Sequence, residues 1–252
     1  MELGLSGRVA LVTGASSGLG LAVASRLAAE GAHVALAARD PERLAEARER
    51  VAASGPGQVT AQALDVRDER AVASWVDGVA AELGAVHVVV ANAGGPPAGR
   101  ATAFGRDAYR EAFELSALAL IGVVQAALPH VRAAGWGRIL LVASEAIVDP
   151  LPEYALSTAI RPALAGYATA LVSDLGPGDV TVNVLAPGYH LTPLVEGFTD
   201  EARRSEIARG IPLGRLGRPD DFGAVAAFLA SEPANFITGA VVPVHGGGTH
   251  AA

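Results

Sequence analysis

The sequence predicts one doubly wound α/β domain over residues 1–252: a parallel sheet of about seven strands with helices on both faces. Three observations predict it. Strand-like and helix-like apolar patterns alternate from the first residues almost to the last, with no internal repeat and no linker. The strands read as short continuous apolar runs, as strands buried on both faces do. And Arg8 to Gly20, R-V-A-L-V-T-G-A-S-S-G-L-G, sets strand, glycine turn and helix end to end at the start of the chain.

Taken in order, Arg8 to Val12 is the first strand, and Leu19, Leu21, Val23, Ala24, Leu27 and Ala28 follow with helical spacing. His33 to Ala38 is the second strand, after which Asp40-Pro41 supplies an N-cap and an N1 proline to a helix ending near Ser54. Gln58 to Leu64 is the third strand and Asp68 to Leu83 the next helix. Val86 to Ala91 is the fourth strand, closed by the breaker cluster Asn92-Ala93-Gly94-Gly95-Pro96-Pro97. One long helix runs from about Asp107 to Arg132, then come a fifth strand, Arg138 to Ala143, and a helix, Glu153 to Leu175. Val180 to Leu185 is the sixth strand, and Gly188 to Gly217 a loop-rich excursion with a helix around Asp200 to Arg209. Pro219 to Ala230 is the last helix and Ala240 to Val244 the last strand. This is a Rossmann-like order, whose ligands sit at the carboxyl ends of the strands.

Composition narrows the function. The formal charge is −7 with no dense basic run, which argues against nucleic acid as a partner. No cysteine is present, which excludes disulfides, thiolate metal sites and a cysteine nucleophile, and suits a cytoplasmic protein. The six histidines are scattered without ligand spacing, so no metal is expected. A strand beginning at Arg8 leaves no room for a signal peptide, and no uninterrupted apolar run approaches the roughly 20 residues of a membrane span. The long helix is apolar nearly all round between Phe113 and Leu128. Its far side packs on another subunit or lies within the domain.

The glycine turn is the first candidate site. Around Gly14, Ser16, Ser17, Gly18, Leu19 and Gly20, residues without side chains let the backbone approach a pyrophosphate, and the helix start offers unpaired N–H groups. The bland alternative is a tight turn with close helix–strand packing. At the end of the second strand, Ala38 cannot accept from an adenosine ribose, whereas Arg39 can pair a 2′-phosphate, which favours NADP(H) over NAD(H). Asp40 is a rival acceptor already explained as a helix cap, and Arg39 could instead be a solvated surface charge.

The spacing T-G-x-x-x-G-x-G resembles the short-chain dehydrogenase/reductase family, and the resemblance extends from Arg8 to Gly247. It implies that Asp65-Val66 touches adenine and that Asn92-Ala93-Gly94 lines the cofactor, although Asp65 and Gly94 could equally be turn residues. Pro187-Gly188-Tyr189-His190-Leu191-Thr192 matches the family's P-G-x-x-x-T, whose backbone and threonine hold the nicotinamide amide. Ile237-Thr238-Gly239 and Gly246-Gly247 match its usual ending. The family's habit of forming dimers and tetramers implies a homodimer or homotetramer.

The catalytic positions depart from the family pattern. The resemblance implies a serine after the fifth strand, Tyr-x-x-x-Lys on the next helix, and an asparagine in the long helix before them. Ser144 fits the serine and Tyr154 the tyrosine, which the resemblance also places against the cofactor, across a segment a few residues shorter than usual. The lysine position holds Thr158 and the asparagine position Ser116. The loss matters, because a phenol of ordinary pKa about 10 is over-protonated for a base at neutral pH. Tyr154, Thr158 and Arg161 share one helix face, so Arg161, one turn beyond the absent lysine, could reach the cofactor or the phenol. It could also be a structural salt bridge, just as Tyr154 could be packing and Ser144 a turn residue. Tyr189 and His190 are alternative donors, or shape the substrate loop; Glu145 has no assigned role.

The reading is an NADP-dependent oxidoreductase that reduces a carbonyl or oxidises a secondary alcohol of a small molecule, resembling 3-oxoacyl-thioester reductases. The rivals are an NADP-binding sensor or scaffold without hydride transfer, and a lyase or isomerase using the same pocket. The excursion carries Leu191, Leu194, Val195 and Phe198, which either wall an apolar substrate site or pack the loop onto the body.

Overall fold

The computed structural model describes residues 1–248. Seven strands form one sheet: β1 Val9–Thr13, β2 His33–Ala38, β3 Val59–Ala63, β4 Val88–Ala91, β5 Trp136–Val142, β6 Asp179–Pro187 and β7 Val241–Val244. Every pairing is parallel, and the strand order is β3-β2-β1-β4-β5-β6-β7. The order reverses between β1 and β4, which opens a crevice at their carboxyl ends.

Helices α1 Gly18–Ala29, α2 Pro41–Ala52 and α10 Pro219–Leu229 cover one face, and α3 Glu69–Leu83, α5 Ala119–Ala134 and α7 Pro162–Leu175 cover the other. Side chains alternate across the sheet accordingly. Ala10, Val12, Val88, Val90, Leu140 and Val142 enter the first core, and Val9, Leu11, Val89, Ile139 and Leu141 the second. Each buried Val or Leu is worth about 1.5–3 kcal/mol, so many small hydrophobes hold this aromatic-poor domain together. The remaining helices are α4 Arg106–Phe113, α6 Ala155–Ile160, α8 Pro193–Phe198 and α9 Glu201–Gly210.

Two predicted helices are not continuous. The long one is α4, a π-helical turn over Glu114–Leu118, then α5. A π turn inserts a residue into the helical ladder and leaves no mark on apolar periodicity. The helix expected over Glu153 to Leu175 divides into α6 and α7 at Arg161, because Pro162 has no N–H to continue α6 and starts α7 as its first residue. By length and composition Arg106–Ala134 could cross a membrane. Here its buried residues, among them Leu120, Val123, Val124, Ala127 and Val131, belong to the second core. Phe113 and Leu118 on the same stretch stay exposed, at 39% and 44%.

The amino edge of the sheet is pinned by polar contacts. The Arg8 and Arg138 guanidinium groups each lie 4.1 Å from the Trp136 ring centroid, and buried Arg138 pairs with Asp179 at 3.0 Å. His87 Nδ1 accepts from the Val9 N–H at 3.0 Å, and burial pushes its pKa below the ordinary value. The folded protein therefore binds fewer protons at His87 than the unfolded chain does. That contribution is complete above the ordinary pKa of about 6.5 and is lost as pH falls below it. Urea midpoints measured at pH 7 and pH 5 are expected to fall further in the wild type than in His87→Gln. Equal falls would rule out this linkage.

Candidate active site

The crevice between β1 and β4 opens into a groove of about 1120 Å³. Its floor is the turn after β1, where Gly14 and Gly18 have φ of +59° and +57°. A Cβ on Gly14 would stand 2.7 Å from Asn92 Nδ2, and one on Gly20 would collide with the Gly14 carbonyl oxygen. Thr13 ties the turn to the next strand: its Oγ1 donates to the Asn92 carbonyl at 2.7 Å and accepts from the Asn92 N–H at 2.8 Å. Helix α1 then starts at Ser17, whose side chain makes no cap bond, with no acidic residue in the first turn. Its first N–H groups and dipole face the groove without a competing carboxylate.

Gly14, Ser16, Ser17, Gly18, Leu19, Arg39, Val66, Asn92, Ala93, Gly94, Gly188 and Thr192 all line the groove. Other expected cofactor residues do not. Gly20 packs under the turn, and Pro187 is the last residue of β6. Asp65 is held by Arg67, with Arg67 Nε 3.0 Å from Oδ1 and Nη2 2.5 Å from Oδ2, which lowers its pKa to about 2. Asp40 is the N-cap of α2, as expected, accepting from Glu42 N and Arg43 N at 3.1 Å each. Arg39, Asp40 and Arg43 all line that end of the groove, with Arg43 Nε 3.4 Å from Asp40 Oδ2. The sequence reading missed Arg43, which lies three residues beyond the cap and so within the first turn of α2. At the other end Thr192 caps α8, accepting from Val195 N, and faces Gly18 across the groove. The glycine cradle and the open helix start fit the pyrophosphate of a dinucleotide.

The catalytic candidates cluster at the carboxyl ends of β5 and β6. Ser144 follows β5, and its Oγ accepts from Ala146 N at 3.2 Å, which leaves its O–H proton free to donate. Tyr154 is the N-cap residue of α6, held where Gly99 N donates to Glu153 O and Ala155 N to Gly99 O. Its hydroxyl accepts from the Tyr189 hydroxyl at 2.8 Å.

The two residues expected to stand in for lysine are used otherwise. Thr158 Oγ1 donates to Leu151 O at 3.1 Å and accepts from Leu151 N at 3.2 Å, clamping the loop before α6. Arg161 is 5% exposed, and its Nη1 donates to the carbonyls of Val142 and Ala143 at 3.0 and 2.5 Å, not to the phenol. Burial pulls its pKa down to about 10, so it stays charged, and it forms no ion pair among the described residues. Ser116 sits in the π turn, fully buried, with no hydrogen-bond partner for Oγ.

Glu145, left without a role by the sequence, is a buried carboxyl beside this cluster. Burial, then the Asp149 charge, raises its pKa to about 7. A Cβ on Gly188 would meet its Oε2 at 2.5 Å, so Gly188 makes room for it. His190 is buried too, with Nδ1 3.0 Å from Gly188 O and its ring edge-on to Phe222 at 5.6 Å. Leu191, Leu194 and Phe198 are exposed at 44%, 64% and 50%, and the last two line the groove.

Known proteins share this fold and part of this sequence. A family model described as enoyl-(acyl carrier protein) reductase matches residues 14–249. The 3-oxoacyl-[acyl-carrier-protein] reductase of Pseudomonas aeruginosa is 34% identical over 97% of this chain and 98% of its own. The cis-4-hydroxycyclohexanecarboxylate dehydrogenase of Sinomonas cyclohexanicum is 39% identical over 96% of each chain. The crystal structure of L-sorbose reductase from Gluconobacter frateurii, complexed with NADPH and L-sorbose, superposes with a TM-score of 0.93 at 29% identity over the whole of both chains.

Proposed function

The chain belongs to the short-chain dehydrogenase/reductase family, and on that premise we propose that it is an NADP-dependent oxidoreductase. It reduces a small-molecule carbonyl, or oxidises the matching secondary alcohol, with Tyr154 as proton donor. The relatives named above are reductases and a dehydrogenase, and the L-sorbose reductase structure holds NADPH. The observation that carries the NADP reading is Arg39 at the adenosine end of the groove, where the neighbouring Asp40 carboxylate caps α2 and pairs with Arg43 Nε at 3.4 Å. The Arg39 guanidinium there suits a 2′-phosphate.

A bound, reduced nicotinamide supplies the hydride. Tyr154 gives its phenolic proton to the carbonyl oxygen, and the Ser144 hydroxyl donates a hydrogen bond to the same oxygen, holding its developing charge. Arg161 fixes the carbonyls of Val142 and Ala143, the two residues before Ser144, and so sets where that hydroxyl stands. Leu194 and Phe198 give the substrate end an apolar wall, which suits an alicyclic or acyl carbonyl compound, a 3-oxoacyl thioester included. The reading places the protein in the cytoplasm as a homodimer or homotetramer, supported by exposed Phe113 and Leu118 on the long helix.

Coenzyme titration by fluorescence tests the NADP part. NADPH is expected to bind at least about tenfold more tightly than NADH, and Arg39→Ala to remove most of that preference. Equal affinity in the wild type would reject it.

A further inference from the structure

The Tyr154 hydroxyl has a partner supplied by another element. Tyr189, in the loop after β6, donates its O–H to the Tyr154 oxygen at 2.8 Å, and the two rings meet edge-on with centroids 6.0 Å apart. Two nearby polar side chains are committed elsewhere: Thr158 to Leu151, and Arg161 to Val142 and Ala143. Both backbones are anchored, since Tyr189 O accepts from Gly217 N at 2.9 Å and Tyr154 N donates to Leu151 O at 2.9 Å. The fold thus brings two phenols from separate elements into one hydrogen bond.

The surroundings set the direction of that bond. Tyr189 touches Tyr154 and feels the charges of Glu145, in the turn after β5, and of Arg203 on α9. Burial first, then the bond to Tyr154 and the charges of Tyr154 and Glu145, pushes the Tyr189 pKa upward. Arg203 works the other way, but it is paired with Glu206 at 2.6 Å. Burial and then the Asp149 charge raise the Glu145 pKa to about 7, so that carboxyl is about half protonated at neutral pH and its effect on Tyr189 is reduced. Tyr189 therefore keeps its proton and is the donor of the pair.

We propose that Tyr189 is a positioning residue for the proton step, its O–H holding the Tyr154 oxygen and stabilising that oxygen when it carries the charge. This rests on the reductase reading. As the carbonyl carbon gains hydride from a reduced nicotinamide dinucleotide, the Tyr154 O–H bond breaks and its proton forms the new bond to the carbonyl oxygen. The electron pair stays on the Tyr154 oxygen. The Tyr189 O–H stays intact, and its hydrogen bond changes from neutral to charge-assisted, which is the stronger kind. In alcohol oxidation the same bond favours the phenolate that accepts the proton.

Tyr189→Phe keeps the ring and removes only the donor. The chain has four tyrosines, so ultraviolet tyrosinate absorbance can be titrated on the protein without nucleotide or substrate, and the step that disappears in Tyr154→Phe identified. In Tyr189→Phe that step is expected to move alkaline by about one pH unit, and an unmoved step overturns the proposal. In turnover, the rising limb of alcohol oxidation against pH is expected to move the same way. At neutral pH, kcat should fall about tenfold with little change in KM. If Tyr154→Phe abolishes turnover while Tyr189→Phe matches wild type in both measurements, the Tyr189 role is wrong and the reductase reading stands. If Tyr154→Phe turns over like wild type, the reductase mechanism is wrong, and the absorbance titration still decides the hydrogen bond.

Discussion

Tyr154→Phe is expected to lower kcat/KM for carbonyl reduction by about 10²- to 10⁴-fold while NADPH affinity stays unchanged. The substitution removes one oxygen and keeps the ring, so packing against Tyr189 survives. Tyr154 does not line the cofactor groove, which is why affinity and rate should separate. A polarising hydrogen bond from Ser144 alone leaves the developing alkoxide without its proton. A loss confined to KM would place Tyr154 in substrate binding rather than in the proton step.

Phe222→Ala should be the most destabilising substitution near the site, by about 3–5 kcal/mol. Phe222 on α10 is 0% exposed and belongs to the first core. It also supports the site, because its ring meets His190 edge-on at 5.6 Å, and His190 is bridged to Gly217, where a Cβ would stand 2.6 Å from the imidazole. Removing the ring frees the segment that carries Gly188, Tyr189 and Thr192. Chemical denaturation should show the loss of stability, and the KM for NADPH should rise with it. A full loss of stability with an unchanged KM would mean that Phe222 serves the core alone.

The sheet was legible because its signal is strong and local. The runs Val9–Val12, Val34–Ala38, Val88–Ala91 and Ile139–Val142 are buried on both faces, and continuous apolar sequence is what such strands require. Asp40-Pro41 marked its helix start, and the cap bonds to Glu42 and Arg43 are present. The glycine turn was legible for the same reason, since Gly14 and Gly18 occupy positive φ where other residues are strained. Interruptions were harder to read. The π turn at Glu114–Leu118 costs no apolar residue its place, and the break at Arg161 needed more weight on Pro162 than on the apolar spacing around it.

The chemistry of the site was legible by position but not by partner. Helical spacing placed Thr158 and Arg161 on the face of Tyr154, yet it gave no account of the carbonyls of Val142 and Ala143 or of the loop at Leu151, which claim them. The bond between Tyr154 and Tyr189 joins residues 35 apart in the chain. Only the placing of β5 and β6 side by side brings them together. Glu145 was visible as a charge in an odd place, and its depth in the fold explains its raised pKa.

The central claim is hydride transfer, and the most direct measurement follows deuterium from NADPH labelled at the nicotinamide C4 into product. The purified protein would be offered alicyclic ketones and 3-oxoacyl thioesters, with products read by mass spectrometry. The account predicts stereospecific appearance of one deuterium on the carbinol carbon, lost in Tyr154→Phe. Firm NADPH binding with substrate converted but no deuterium in the product would contradict it and point to lyase or isomerase chemistry. Firm binding with no conversion of any carbonyl would contradict it in favour of a nucleotide-binding protein without hydride transfer.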